Sequence, residues 1–467
     1  MTDYSHLLKA DSGQSAHAIH VVDKGSYESW LTAQPERVRA AIGAQSFKPT
    51  GYAYAILPGE QAEDWAVVTC VANTGSLSSW CLAKLAEVLP AGDYRVANKD
   101  DIGPAALGWL TAHYRFDRYR AKEDDAPAGP RVLLTKDAAR IEPTVRLAQA
   151  VHLVRDLVNT PTADMGPPDL EKAAKGVAKR HDAKLSVTHG DALEQGYPMI
   201  HAVGRAADRA FAPRLIELTW GKPDHPRIAI IGKGVCFDSG GLDIKPSAAM
   251  RLMKKDMGGA AHALALAELV MASRLPVRLH LLIPAVENAI AGNAFRPGDV
   301  LASRKGVSVE IGNTDAEGRL VLGDALTKAG EDAPELILDF ATLTGAARVA
   351  LGPDLPALFA NDEALARAIA DAGTASDDPV WQLPLWKGYA DMLKSDVADL
   401  SNSGEGGFAG AITAALFLQN FVGEGVKWAH FDTFAWRPSA KPGRPKGGDA
   451  LGLRAAFAML ETRYPRE

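Results

Sequence analysis

The chain is poor in cysteine: Cys70, Cys81 and Cys236 are the only ones in 467 residues, and no two form a CxxC pair. So sparse and odd a set argues against a disulfide framework and against a thiolate zinc site, and it fits a reducing compartment. No HExxH occurs, which removes the helix of single-zinc proteases. The N-terminus, MTDYSHLLKADSG, has neither a basic n-region nor an apolar h-region, so no secretory signal is expected. Long hydrophobic runs are missing too. The longest apolar-looking run, Met257–Ser273, contains His262 and Glu268 and opens on glycines, so it reads as a buried helix rather than a membrane span. Positive charge is not in excess. The formal net charge of −6 gives no electrostatic reason to expect nucleic acid as a partner. There is no internal repeat and no low-complexity tract. These absences together point to a cytoplasmic protein that engages no membrane.

What is present is a globular composition, 47% hydrophobic and 23% charged, which excludes a long disordered chain. The length suits two or three domains. Residues 121–131, AKEDDAPAGPR, are charged and rich in Pro, Gly and Ala, and form the best linker candidate. They divide the chain into 1–130 and 131–467. In the first part, Tyr52–Leu57 and Trp65–Val71 look like strands and Leu82–Val88 like a helix. After the linker, Val132–Thr135 reads as strand and Val145–Val158 as helix. Further on, apolar runs at Arg214–Trp220, Arg227–Ile231, Val277–Ile283, Glu335–Phe340 and Val426–Phe431 alternate with helical stretches at Ala260–Ala272, Leu320–Ala329 and Ala409–Phe421. Strands alternating with helices predict an α/β sheet covered on both faces, with its ligand site at the carboxyl ends of strands.

Two stretches carry chemistry. Gly232–Ala260 holds Asp238 before Ser-Gly-Gly, Asp256 before Met-Gly-Gly, and the lysines Lys233 and Lys245. Gly312–Leu320, GNTDAEGRL, holds Asp315 and Glu317 two residues apart, with Arg319 two further on. In a turn, residues i and i+2 can point the same way. Two carboxylates brought together repel, and a divalent cation removes that repulsion. Four acids in glycine-rich settings suit a pair of such cations sharing a water. Spacing alone leads no further than a carboxylate metal site, and for each acid taken singly a turn or cap role stays open. Lys233 does not sit in a GxxxxGK[ST] phosphate loop. Lys254 and Lys255 read as a solvated pair. Arg319 alone reads as an ion-pair partner, His430 as a core histidine and Cys236 as a packed small residue.

The motifs resemble the leucyl (cytosol) aminopeptidase family. NTDAEGRL at Asn313–Leu320 matches that family's signature without a change. KGVCFDSGG, DIKP and MKKDMGGA match its other site segments, and RDLVNTP, FATLTGA and WAHFD are similar. The resemblance spans about residues 150–467. It implies a smaller, variable N-terminal α/β domain and a larger catalytic α/β domain with a mixed, mostly parallel sheet flanked by helices. It implies an enzyme that removes the N-terminal residue from peptides through a metal-bridging hydroxide, working as a homohexamer. By the same resemblance, Lys233, Asp238, Asp256 and Glu317 hold a tight metal, and Asp238, Asp315 and Glu317 a more exchangeable one. Zinc is implied at the first, and zinc, manganese or magnesium at the second. The substrate's free amine would bind the exchangeable metal. A lysine ligand has to be neutral, so Lys233 would need a strongly lowered pKa. Lys245 corresponds to the family's catalytic lysine. Arg319, with the backbone near Leu343, corresponds to the cradle of a bicarbonate that acts as general base. Met253, Thr342 and Gly345 correspond to the pocket for the first side chain. Phe434 stands where many members have a small residue, and Cys236 where threonine is common. Other readings are a two-metal hydrolase of another ester or amide class, such as a phosphoesterase, and a family member with an added DNA-binding role.

Overall fold

Strand-forming runs of Val, Ile and Leu separated by Ala-rich segments become, in the computed structural model, two α/β units. The structure describes residues 4–61, 63–121, 129–404 and 406–466. The linker expected over 121–131 falls mostly on 122–128, outside the described residues.

One unit comprises Met1–His152 together with Ser439–Lys446. Its six-stranded sheet runs in the order Leu8–Ala10, Arg131–Thr135, Gly92–Val96, His17–Val22, Trp65–Cys70, Tyr54–Pro58, parallel throughout except for the last pair. The strand at 54 begins later than the sequence suggests because Tyr52 has φ +64°, a turn conformation that cannot continue a strand. The helices Ala83–Val88 and Ala105–Thr111 pack together, and Trp109, fully buried, donates from Nε1 to the Arg131 carbonyl at 3.0 Å.

The other unit comprises Leu153–Pro438 and Gly447–Glu467. Its nine-stranded sheet has a parallel centre of Lys427–Asp432, Leu336–Ala341, Arg227–Gly232 and Arg278–Asn288. Arg214–Trp220 and then Lys184–His189 extend it antiparallel, Ala357–Ala360 adds antiparallel on the other side with Trp381–Gln382 parallel at that edge, and Gly234–Asp238 pairs in parallel beside Arg278–Asn288. The central strands are apolar on both faces, as a covered parallel sheet requires. Ala229 and Ile231 share a core with Leu320, Leu322 and Leu326 of the helix Glu317–Gly330. The helix Gly258–Ala272 packs on the strands Arg227–Gly232 and Leu336–Ala341. Gly259 is needed for that approach: a Cβ there would sit 2.1 Å from the Phe340 carbonyl oxygen. This helix is the 257–273 run, and no helix among the described residues is long and apolar enough to cross a membrane.

Arg155, in the RDLVNTP block, forms a buried ion pair with Asp449. Arg155 Nη2 donates to Asp449 Oδ1 at 3.0 Å, and Arg437 Nε donates to Oδ2 at 2.9 Å. Removing the carboxylate leaves two buried guanidinium groups short of their partner. Asp449→Ala is therefore expected to destabilise this unit by roughly 3–5 kcal/mol in urea unfolding. An unchanged midpoint would contradict that role.

Candidate metal centre

The expected acids converge at the carboxyl ends of the parallel strands. Lys233 directly follows the strand Arg227–Gly232, Asp238 ends Gly234–Asp238, Thr342 follows Leu336–Ala341, and Asp432 ends Lys427–Asp432. Asp256 comes from the 3₁₀ turn Met253–Met257, Asp315 from the turn before the helix Glu317–Gly330, and Glu317 is that helix's first residue. A bulge re-aims one strand. Val235 pairs with Val286 and Phe237 with Glu287, which leaves Cys236 as the extra residue. Its carbonyl accepts from Thr162 Oγ1 at 3.0 Å, while its thiol is fully buried and pushed upward in pKa by burial.

One oxygen each from Asp238, Asp315 and Glu317 can lie within 4.8 Å of one another. Lys233 Nζ is 2.8 Å from both Asp256 Oδ2 and Glu317 Oε1. Lys245 Nζ is 2.8 Å from Asp238 Oδ2 and closer still to Asp315. Gly318 makes room for this, since a Cβ there would meet Lys233 Nζ at 2.7 Å. Asn288 holds Asp238 in place by donating from Nδ2 to Oδ1 at 2.8 Å and to the Thr314 carbonyl at 3.1 Å. Gly240 and Gly241, with φ +87° and +65°, turn the chain beneath, where Asp243 and Thr314 exchange hydrogen bonds.

Asp238, Asp256 and Glu317 are almost wholly buried. Glu317 Oε2 is enclosed without a hydrogen bond, and Asp256 Oδ2, Asp315 Oδ1 and Glu317 Oε1 face lysine heads alone. Burial, then the charge of Asp238, raises Glu317 to about 8 and Asp315 to about 6. Burial pulls the Lys233 amine down, but Asp256, Glu317 and Asp238 outweigh it and hold the proton in the ion-free chain. Hard carboxylate oxygens with unused lone pairs in a dry site are the donor set that a divalent cation takes. The residues therefore fit metal.

Arg319 is buried and not the surface ion-pair partner that its type suggested. Its Nη1 donates to the Asn402 carbonyl at 2.7 Å, its Nε has no hydrogen-bond partner, and burial lowers its pKa to about 10. Asn402 also accepts from Gly312 and Asn313 and so shapes the signature loop. The Leu343 N–H donates to Asp432 Oδ1 at 2.9 Å. Met253, Thr342, Gly345 and Phe434 line the same cavity, of about 420 Å³, as the acids. Thr342 Oγ1 donates to Asp256 Oδ1 at 2.7 Å. His430 is a core histidine, its Nδ1 2.6 Å from Asp339. The solvated pair at Lys254 and Lys255 is a misreading. Lys254 Nζ donates to the Asn159 carbonyl at 2.6 Å, and Lys255 is buried with its Nζ over the Phe434 ring. The 3₁₀ turn that delivers Asp256 carries both lysines inward with it.

The sequence profile of the cytosol aminopeptidase family, catalytic domain, matches residues 152–457. The chain belongs to the cytosol aminopeptidase family. A profile of the aminopeptidase N-terminal domain matches residues 18–128. The probable cytosol aminopeptidase of Syntrophotalea carbinolica is 42% identical over 372 residues, covering 76% of this chain and 73% of that protein. The crystal structure of the Coxiella burnetii cytosol aminopeptidase superposes with TM-score 0.92 at 45% identity, over 98% of this chain and 99% of that one. The bottromycin maturation enzyme BotP, in complex with Mn, gives TM-score 0.86 at 31% identity, over 96% and 100%. Membership makes this chain a metal-dependent aminopeptidase that acts on peptides.

A proton balance follows. In the ion-free fold Glu317 and Asp315 are held protonated to about 8 and 6, above the ordinary carboxylate range. A cation has to displace those protons, so Mn²⁺ or Zn²⁺ affinity should rise with pH between 6 and 8, with proton release. The same sign makes the ion-free chain lose stability as pH rises through that window. Calorimetry in buffers of differing ionisation heat reads the release. Affinity that is flat from pH 6 to 8 would contradict it.

Proposed function

We propose that the cage holds two divalent cations, one between Lys233, Asp238, Asp256 and Glu317 and the other among Asp238, Asp315 and Glu317. The observation that carries this is the enclosure of four carboxylates together, with Glu317 Oε2 making no hydrogen bond and the facing oxygens of Asp256, Asp315 and Glu317 meeting only lysine heads. The manganese of the BotP complex, and the carboxylate-rich set here, support manganese or magnesium as well as zinc. When bound, such a pair lowers the pKa of water between its members and offsets charge on the peptide carbonyl oxygen.

The chain's own groups have separate tasks. Lys245 is held charged: burial works against it, but Asp238 and Glu317 dominate and raise its pKa. Half-buried at the cavity wall, it stabilises the oxyanion as the carbonyl becomes tetrahedral. Lys233 shares its carboxylates with the cations, and beside them its amine would give up its proton. Arg319, a buried guanidinium whose Nε makes no hydrogen bond, would hold a bicarbonate that accepts the water's proton. Leu343 lines the same cavity, with its N–H turned to Asp432. Met253, Thr342 and Gly345 receive the first side chain. The protein works as a homohexamer in the cytoplasm, a reading that the exposed Trp381, Trp386 and Phe408 support as contact surface.

Lys245→Ala should keep its metals, measured by elemental analysis, while kcat on amino-acid anilides falls roughly 10²–10³-fold. Undiminished turnover in the metal-loaded variant would remove Lys245 from the chemistry.

A further inference from the structure

Phe434 carries two cations at its ring. Lys255 Nζ lies 5.3 Å from the ring centroid and Arg348 Cζ 4.7 Å. All three side chains line the cavity that contains the acids. Arg348 also borders Gly345, whose Cβ would come within 3.8 Å of its Nη2.

Lys255 shares its nearest counter-charge with other groups, and Arg348 is left to solvent. Lys255 Nζ is 3.7 Å from Asp256 Oδ1, beyond hydrogen-bond reach. That oxygen already accepts from Thr342, and the other oxygen of Asp256 faces Lys233. Asp432, the second acid near Lys255, is also committed. Its Oδ1 accepts the N–H groups of Leu343 and Thr344, and its Oδ2 accepts the Thr344 hydroxyl at 2.6 Å. Arg348 projects from the helix Gly345–Leu351 as an exposed residue at the cavity mouth, with its guanidinium over the Phe434 ring. Burying a lysine head without a partner is costly, and a second cation nearby adds repulsion. An apolar first residue such as leucine would leave both heads facing methyl groups. A carboxylate would satisfy both.

We infer that a carboxylate of the peptide substrate binds in this cavity against Lys255 and Arg348. Arg348 is a fixed cation and Lys255 is a hydrogen-bond donor as ammonium or amine, so the site does not depend on a titration. The carboxylate can come from the side chain of an N-terminal glutamate or aspartate, or from the free C-terminus of a dipeptide. The inference rests on the aminopeptidase reading and names its substrate class.

The test uses the metal-loaded full chain and its Lys255→Met and Arg348→Met variants, with Lys255→Gln and Arg348→Lys as replacements should the first pair fold poorly. Two ratios of kcat/KM are read: glutamyl- over leucyl-p-nitroanilide, and Leu-Ala over Leu-Ala amide. One ratio should exceed unity in the parent and fall roughly ten- to hundredfold in the variants, the scale of a hydrogen bond between charged groups. A fall in the first ratio identifies an acidic N-terminal residue, and a fall in the second identifies the dipeptide carboxylate. If neither ratio moves in any variant, the inference is wrong. Should no substrate be cleaved at all, the aminopeptidase reading fails by itself. Calorimetry with L-glutamate and L-leucine then decides: tighter glutamate binding that both variants lose upholds the carboxylate site, and equal binding overturns it.

Discussion

Four carboxylates, Asp238, Asp256, Asp315 and Glu317, share one cage with two lysines, Lys233 and Lys245. Even with Lys255 at 3.7 Å from Asp256, four negative charges against three positive leave an excess of negative charge in a largely water-excluded place. A protein cannot hold that excess as bare charge. It protonates the acids, as the raised Glu317 and Asp315 show, or it takes up cations. The enclosed Glu317 Oε2, which no hydrogen bond reaches, points to the second outcome. Metal dependence thus follows from the arrangement itself, and membership of the cytosol aminopeptidase family agrees with it.

The rest of the catalytic unit maintains that crowding. Parallel strands deliver Lys233, Asp238 and Thr342 to one end of the sheet. The bulge at Cys236 sets where Asp238 emerges. Gly259 lets the helix carrying Asp256's neighbours press against Phe340, and Gly318 leaves space for the Lys233 head. Asn288 and Asn402 tie the loops that present the acids. None of these groups reacts, but each limits how far the carboxylates could drift apart.

Much of this was legible in the sequence, and the failures have physical causes. Arg214–Trp220 was read at its true bounds because its apolar run is bracketed by turn residues. The helix around 260–272 was legible because it is apolar on every side, as a buried helix must be. Lys184–His189 was not, because this edge strand is half polar and mostly unburied. Gly234–Asp238 was hidden by its glycines and by the site residues within it. Asn288, Thr314 and Asn402 were missed because they act by hydrogen bonds across long sequence separations that no local spacing reveals. Lys255 was misjudged because two adjacent lysines ordinarily face water. Only the turn that places Asp256 shows that its neighbour must go inward as well. The tie between Ser439–Lys446 and the N-terminal unit, where the Gly443 N–H meets Glu87, had no local signal either.

The most direct measurement strips the protein of metal with a chelator and returns a divalent cation in steps, following bound metal and peptide hydrolysis together. The expected result is no turnover in the stripped protein, two equivalents taken up per chain, and activity that reaches its plateau only with the second. Full activity in the stripped protein, or uptake of no cation at all, would contradict the charge balance on which everything above depends.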